Sequence, residues 1–112
     1  MKHIFVYGTL KKKYHNNRLL GNSPFVGEGT VKGTLHVTGL PYLRPGNTHV
    51  HGEIYEVNEH TLGTLDALEG HPNWYKRTPM LARLSSGDII AVEAYVYQRE
   101  LHPDCIIESG IY

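Results

Sequence analysis

The stretch from Phe25 to Thr38 is rich in strand-forming residues but is interrupted by Gly27, Gly29 and Gly33. Glycines inside a strand pattern mark bulges or sharp bends, as at the corners of a small barrel. A strand bent so often predicts a sheet that closes on itself. The segments around it are mostly strands too. Lys2 to Tyr7 reads as a buried opening strand, with Ile4, Phe5 and Val6 in succession and Gly8 as its stop. His49 to Val57 fits a further strand, and Trp74 to Leu84 and Ile89 to Arg99 read as two more, joined by a hairpin across Ser85-Ser86-Gly87-Asp88. Pro41 to Thr48, with Pro45-Gly46-Asn47, reads as a loop by its turn chemistry. Residues 11 to 23 are polar, with a short helical turn expected around Asn16 to Leu20.

One long helix stands among these strands. Asn58 is a good N-cap and Glu59 suits the first turn. Leu62, Leu65 and Leu68, with Ala67, supply an apolar stripe of helical period. Gly70 occupies the place of a left-handed C-cap, and Pro72 prevents continuation. One helix with many bent strands argues an α+β fold, a small mixed β-barrel with flanking helices. At 112 residues the chain is expected to form a single domain spanning 1–112.

Composition narrows the function classes. Eleven Lys+Arg balance eleven Asp+Glu, so no global field attracts nucleic acid or an anionic membrane. The run Lys11-Lys12-Lys13 reads as a solvated loop, with a small steering patch for anionic substrates as the sharper alternative. Lone Cys105 cannot form an intramolecular disulfide, and beside Pro103-Asp104 it reads as a loop residue rather than a nucleophile. The N-terminal segment lacks a signal-peptide core and no segment has the length of a membrane span, so a cytoplasmic location is expected. The neutral surface fits a monomer or a weak homodimer. Eight tyrosines against two phenylalanines suit a polar cavity or barrel interior better than a dry core.

Two features can carry chemistry. Glu69 sits at the C-terminal end of the helix, where unpaired carbonyls make a carboxylate electrostatically misplaced. Placement in a cavity would add desolvation, and both effects raise a carboxyl pKa toward the range useful to a base. The plainer alternative is an exposed glutamate that tolerates its position. The passage Phe5-Val6-Tyr7-Gly8-Thr9-Leu10 ends a buried strand in a glycine turn that can aim several backbone N–H groups at one point. Such a nest holds a carboxylate or oxyanion without a charged side chain. It lacks the spacing of a phosphate loop, and an ordinary strand end would look the same.

Taken together, these motifs resemble the γ-glutamylcyclotransferase-like family, and within it the short branch that includes γ-glutamylamine cyclotransferase (AIG2-like proteins). The resemblance rests on Val6-Tyr7-Gly8-Thr9-Leu10, on Val50 to Val57, and on Leu65-Asp66-Ala67-Leu68-Glu69-Gly70 followed by Trp74-Tyr75-Lys76-Arg77. It continues through Ala94-Tyr95-Val96-Tyr97 and Glu108-Ser109-Gly110, in matching order over nearly the whole chain. The resemblance implies a small barrel with a pocket at its mouth and Glu69 as catalytic acid/base. It implies Tyr7, Gly8, Thr9 and Leu10 as the substrate cradle, Tyr75 at the pocket's border, no metal and no cofactor. The expected partner is a small γ-glutamyl compound, cyclised to 5-oxoproline with release of an amine. The chain departs from the pattern at Ile111-Tyr112, where relatives often carry an acidic residue after the glycine.

Other readings remain open. His49 and His51 share a strand face and could begin a zinc site, although no third ligand has suitable spacing. Glu53, Asp66 and Glu93 read as strand-face or helix-end partners. A binding domain with the same fold and no turnover is the main rival, since fold does not fix function. A third reading has the site release a γ-glutamyl protecting group from a biosynthetic intermediate.

Overall fold

The computed structural model describes residues 1–99 and 105–112. Its strands are β1 (Lys2–Val6), β2 (Phe25–Thr38), β3 (Leu40–Val57), β4 (Tyr75–Leu84), β5 (Ile89–Tyr97) and β6 (Ile106–Ile107). A 3₁₀ turn (His15–Leu20) follows β1, and the helix α1 (Glu59–Glu69) joins β3 to β4. All six strands belong to one sheet. β1 pairs with β3 antiparallel and with β5 in parallel, β3 with β2, β2 with β4, and β4 with β5. These pairings close a mixed five-stranded barrel with α1 and the 3₁₀ turn flanking it, and β6 extends β2 outside the ring.

The bends predicted from the glycines appear in the β2–β3 ladder. Its register shifts between Phe25 and Gly27 and again between Lys32 and Thr34. The second shift revises the expected loop at Pro41 to Thr48, because those residues belong to β3. Leu40 to Arg44 pair with Thr34 to Thr38, and the ladder resumes at His49 opposite Lys32. Pro45 to Thr48 are therefore a wide bulge inside one long strand, which is where the turn-forming residues concentrate. Thr48 Oγ1 donates to the Gly33 carbonyl across it at 2.6 Å.

β1 reads as buried on both faces for a structural reason. Its side chains alternate, with Phe5 and then Tyr7 entering the barrel interior alongside Val31, Leu35, Leu43, Val50 and Ile54. Ile4 and Val6 face outward into a second cluster with Leu20, Leu62, Leu65 and Tyr95, under α1 and the 3₁₀ turn. The helix begins as expected, with Thr61 N–H donating to Asn58 Oδ1 at 2.8 Å. It ends at Gly70, whose φ of 63° lies in the left-handed region. Leu62 and Leu65 are buried, whereas Leu68, expected in the same apolar stripe, is exposed.

The lysine run splits. Lys12 and Lys13 are exposed as expected, but Lys11 is buried, and its Nζ donates to the Tyr112 carbonyl at 3.2 Å. Burial lowers the pKa of Lys11. Tyr14 Oη donates to the same carbonyl at 3.3 Å, so the tail is anchored over the turn that follows β1. The Pro103-Asp104 loop lies outside the described residues. Among the described residues, no helix is long and apolar enough to cross a membrane.

Two glycines give opposite expectations for stability. A Cβ on Gly52 would lie 2.6 Å from the Phe5 ring and against the Val6 carbonyl, whereas a Cβ on Gly63 in α1 would meet nothing within 4 Å beyond its own helix backbone. Gly52→Val is expected to cost about 3 kcal/mol through overpacking, and Gly63→Ala to add roughly 0.5–1 kcal/mol through lower unfolded-state entropy. Urea denaturation checks both. Equal midpoints for the Gly52 variant and the parent protein would contradict this packing.

Candidate active site

β1 runs down the barrel wall and stops at Val6, and the chain then turns through Tyr7 to Leu10. Lys11 N–H donates to the Gly8 carbonyl at 3.0 Å and closes the turn. Among the described residues, that turn leaves the amides of Gly8, Thr9 and Leu10 without a hydrogen-bond acceptor. Glycine at position 8 is a steric requirement, since a Cβ there would collide with the Pro41 ring. The opening at this end of the barrel is a cavity of about 140 Å³. Every residue singled out above as acid/base or cradle lines it: Tyr7, Gly8, Thr9, Leu10, Glu69 and Tyr75.

Glu69 reaches the cavity because α1 is tied down one turn earlier. Tyr95 Oη donates to Asp66 Oδ1 at 2.7 Å, and Arg77 Nε lies 3.3 Å from the same oxygen. Arg77 continues to Glu93 at 3.2 Å, and Glu93 pairs with Lys2 at 3.5 Å. The backbone past the helix is fixed as well. His71 N–H donates to the Asp66 carbonyl, and His71 Nδ1 accepts from Arg77 N–H, each at 3.0 Å.

Burial raises the Glu69 pKa from the ordinary 4.5 to about 7. The expected contribution from bare helix-end carbonyls is blunted, since the Gly70 and His71 amides cap the Ala67 and Asp66 carbonyls. Desolvation alone carries the rise. Around the carboxyl stand tyrosines whose own pKa values are raised by burial and then by the Glu69 charge, Tyr7 and Tyr75 among them. They stay protonated across the physiological range.

The side chains of the two singled-out tyrosines are engaged elsewhere. Tyr7 Oη donates to the Tyr95 carbonyl at 2.8 Å and accepts from Leu43 N–H at 3.1 Å, deep in the barrel. Tyr7 thus offers the cavity its backbone rather than its phenol. Tyr75 Oη donates to the Pro41 carbonyl at 3.1 Å, which holds its ring as a wall. Thr9 Oγ1 accepts from Asn16 Nδ2 at 3.0 Å, and Asn17 Nδ2 donates to the Leu10 carbonyl at 2.8 Å. The 3₁₀ turn therefore braces the cradle from behind.

Sequence reasoning missed Asn16, Leu40, Leu68 and Tyr95 as lining residues. Leu68 has the period of a core residue, and that pattern carries no sign of a cavity. The other candidates lie elsewhere. Glu53 Oε1 accepts from Lys12 N–H and from Tyr55 Oη, and that bond adds to the burial that lifts Tyr55 to about 12. His49 and His51 are exposed on β3, and no metal-binding group of three or more ligands occurs among the described residues. Cys105 and Tyr112 do not line the cavity.

A small closed barrel with one half-buried carboxyl facing an amide-rich turn defines a class of single-carboxylate pocket proteins. The chain belongs to the gamma-glutamyl cyclotransferase, AIG2-like family, whose sequence profile matches residues 4–112. A protein of Methanocaldococcus jannaschii is 38% identical over 117 residues, covering 100% of this chain and 96% of the relative. The gamma-glutamylaminecyclotransferase of Rattus norvegicus is 37% identical over 116 residues, covering 87% of this chain and 77% of its own. The crystal structure of an AIG2-like protein from Mus musculus superposes with a TM-score of 0.87 at 32% identity, over 100% of this chain and 88% of that one.

The Glu69 shift has a stability consequence. Its folded pKa lies above its unfolded value, so its stabilising contribution is full below about pH 4.5 and is lost as pH rises through 7. Above pH 7 the site holds an unfavourable carboxylate. Glu69→Gln is expected to raise stability at pH 8 by on the order of 2 kcal/mol and to give no advantage at pH 4. Thermal melts of both proteins at the two pH values measure this. A Glu69→Gln protein less stable at pH 8 would contradict a desolvated carboxyl.

Proposed function

We propose that the protein converts γ-glutamyl amines or γ-glutamyl amino acids to 5-oxoproline and the free amine, with Glu69 shuttling the proton. In such a substrate the glutamyl α-amine can reach its own γ-carbonyl. Attack forms the ring C–N bond, and collapse of the tetrahedral adduct breaks the bond from the γ-carbon to the departing nitrogen. The protein need supply no nucleophile.

The obstacle is protonation. An amine of this kind has a pKa of about 7.7 to 8.0 or above, so at neutral pH it is mostly ammonium. A carboxyl with a pKa of about 7 is half ionised at neutral pH. In its ionised form Glu69 takes one proton from the ammonium, and the free amine attacks. Glu69 then returns that proton to the departing nitrogen, and the surplus proton on the ring nitrogen leaves with the amine product. A pKa near the working pH lets one group serve in both directions. The Gly8, Thr9 and Leu10 amides would hold the substrate's α-carboxylate, orienting the α-amine toward Glu69. Fixing a flexible chain in its ring-closing geometry lowers the entropic part of the barrier.

The observation that carries this reading is the shared cavity: Glu69, with its raised pKa, and Gly8, Thr9 and Leu10, whose amides have no acceptor among the described residues, line one small space. It also weighs against a domain that only binds, since such a domain gains nothing from a carboxyl kept half ionised at neutral pH. Glu69→Gln is expected to lower the rate of 5-oxoproline formation by about 10²- to 10⁴-fold, read by mass spectrometry on γ-glutamyl substrates. The rate of the parent protein is expected to rise with pH through about 7 as Glu69 ionises. An undiminished rate in the variant would remove Glu69 from the mechanism.

A further inference from the structure

If Glu69 protonates the departing nitrogen, the group attached to that nitrogen must leave the carboxyl in some direction. The cavity behind Glu69 is small, and the function proposed above assigns it to the glutamyl half. On the other side of Glu69 a second hollow, of about 280 Å³, opens to the surface. The two spaces share Leu40, Leu68, Glu69 and Tyr75, so they meet at the carboxyl. The remaining walls of the outer hollow come mainly from Tyr42, Trp74 and Tyr97.

The walls mix apolar and polar groups, and the apolar ones gather at the mouth. Leu40, Leu68 and Trp74 are 54, 44 and 53% exposed, three large apolar side chains gathered at one mouth. A concentration of exposed apolar surface beside a cavity marks a ligand groove. The floor is rigid. The Tyr42 ring packs on Tyr97 at 4.4 Å and on Tyr75 at 5.9 Å between centroids, and Tyr75 is tied to the Pro41 carbonyl. The one acid among the lining residues is Glu69 itself. Positive charge is already present at the rim. The Arg99 guanidinium stands 4.5 Å from the Trp74 ring centre, and Arg44 Nη1 donates to the Tyr97 and Arg99 carbonyls at 2.9 and 3.2 Å.

We propose that this aromatic trough is the leaving-group subsite, and that it selects γ-glutamyl conjugates whose amine carries an apolar or aromatic body. The inference rests on the γ-glutamyl reading of the inner cavity. An apolar body covers Leu40, Leu68 and Trp74 and removes their surface from water, which is favourable in proportion to the area covered. Its arrival also excludes water from Glu69. A small polar amine covers little of this surface. A cationic amine would face Arg99, which already occupies one face of Trp74. Selection against positive charge at this position therefore comes from the rim and not from the catalytic group.

The sole tryptophan of the chain is Trp74, so its fluorescence reports on the trough directly. Three conjugates provide the contrast: γ-glutamyl-phenethylamine, γ-glutamylglycine and mono-γ-glutamyl-diaminopentane. In the parent protein kcat/KM for the phenethylamine conjugate is expected to exceed that for each of the other two by about tenfold or more. In Trp74→Ser the ratio is expected to fall toward one, whatever the absolute rates. Binding is measured separately on Glu69→Gln, where the phenethylamine conjugate should shift Trp74 emission at lower concentration than the other two. Equal kcat/KM values in the parent, or a ratio unmoved by Trp74→Ser, would overturn the trough while leaving the γ-glutamyl reading intact. If no conjugate yields 5-oxoproline, the function proposed above fails. The trough inference then fails with it as a leaving-group site, and the emission titration shows only whether an apolar ligand binds there.

Discussion

The Asp66 carboxylate receives the Tyr95 hydroxyl at 2.7 Å and stands beside the Arg77 guanidinium, and through these contacts the end of α1 is held against the barrel wall. The site depends on this attachment. Glu69 lies one turn further on, and only with the helix end in place does its carboxyl leave water. The attachment is itself spread over the sheet, since Arg77 belongs to β4, Tyr95 and Glu93 to β5, and Lys2 to β1. Half-buried charges are costly when isolated, so a chain of alternating signs across adjacent strands is the arrangement that permits them. The same strands carry the apolar cluster into which Leu62 and Leu65 insert. Polar and apolar contacts thus fix one helix in one position.

The other half of the site depends on the parity of β1. Phe5 and then Tyr7 enter the barrel while Ile4 and Val6 face α1, so this one strand joins the two apolar clusters. Where it runs out, the chain must turn beside Pro41, and only glycine fits at position 8. The amides that follow have no acceptor among the described residues, as fits a strand that ends without a helix to receive it. Asn16 and Asn17 brace the turn, and Asn16 also joins the cavity wall.

Much of this was legible in the residues, and what was not has physical causes. Gly27 and Gly33 lie at the two register shifts of β2, whereas Gly29 sits in regular register where the Arg83 carbonyl comes close, a second use of a strand glycine. Asn58 and Gly70 marked both ends of α1, since capping chemistry is local. Pro45-Gly46-Asn47 misled, because a wide bulge uses the same residues as a loop and only the partner strand distinguishes them. Leu68 has core periodicity, yet the core ends before it, and helical period cannot show where a neighbouring surface stops. Lys11 follows the same logic in reverse, since its buried position depends on the tail residue Tyr112, distant in sequence. At the site, Glu69 and the Tyr7 to Leu10 turn were visible as an ill-placed charge and a strand stop. The phenol of Tyr7 proved to be a core strut, which no local pattern reveals.

The central claim is that the Glu69 carboxyl and the amides of Gly8, Thr9 and Leu10 face the same small ligand. Crystals soaked in 5-oxoproline test it most directly. The account predicts the product's carboxylate on the Gly8, Thr9 and Leu10 amides, with its ring nitrogen turned toward Glu69 within hydrogen-bond reach. Product bound with its carboxylate away from that turn, or with Glu69 rotated out to solvent, would contradict it.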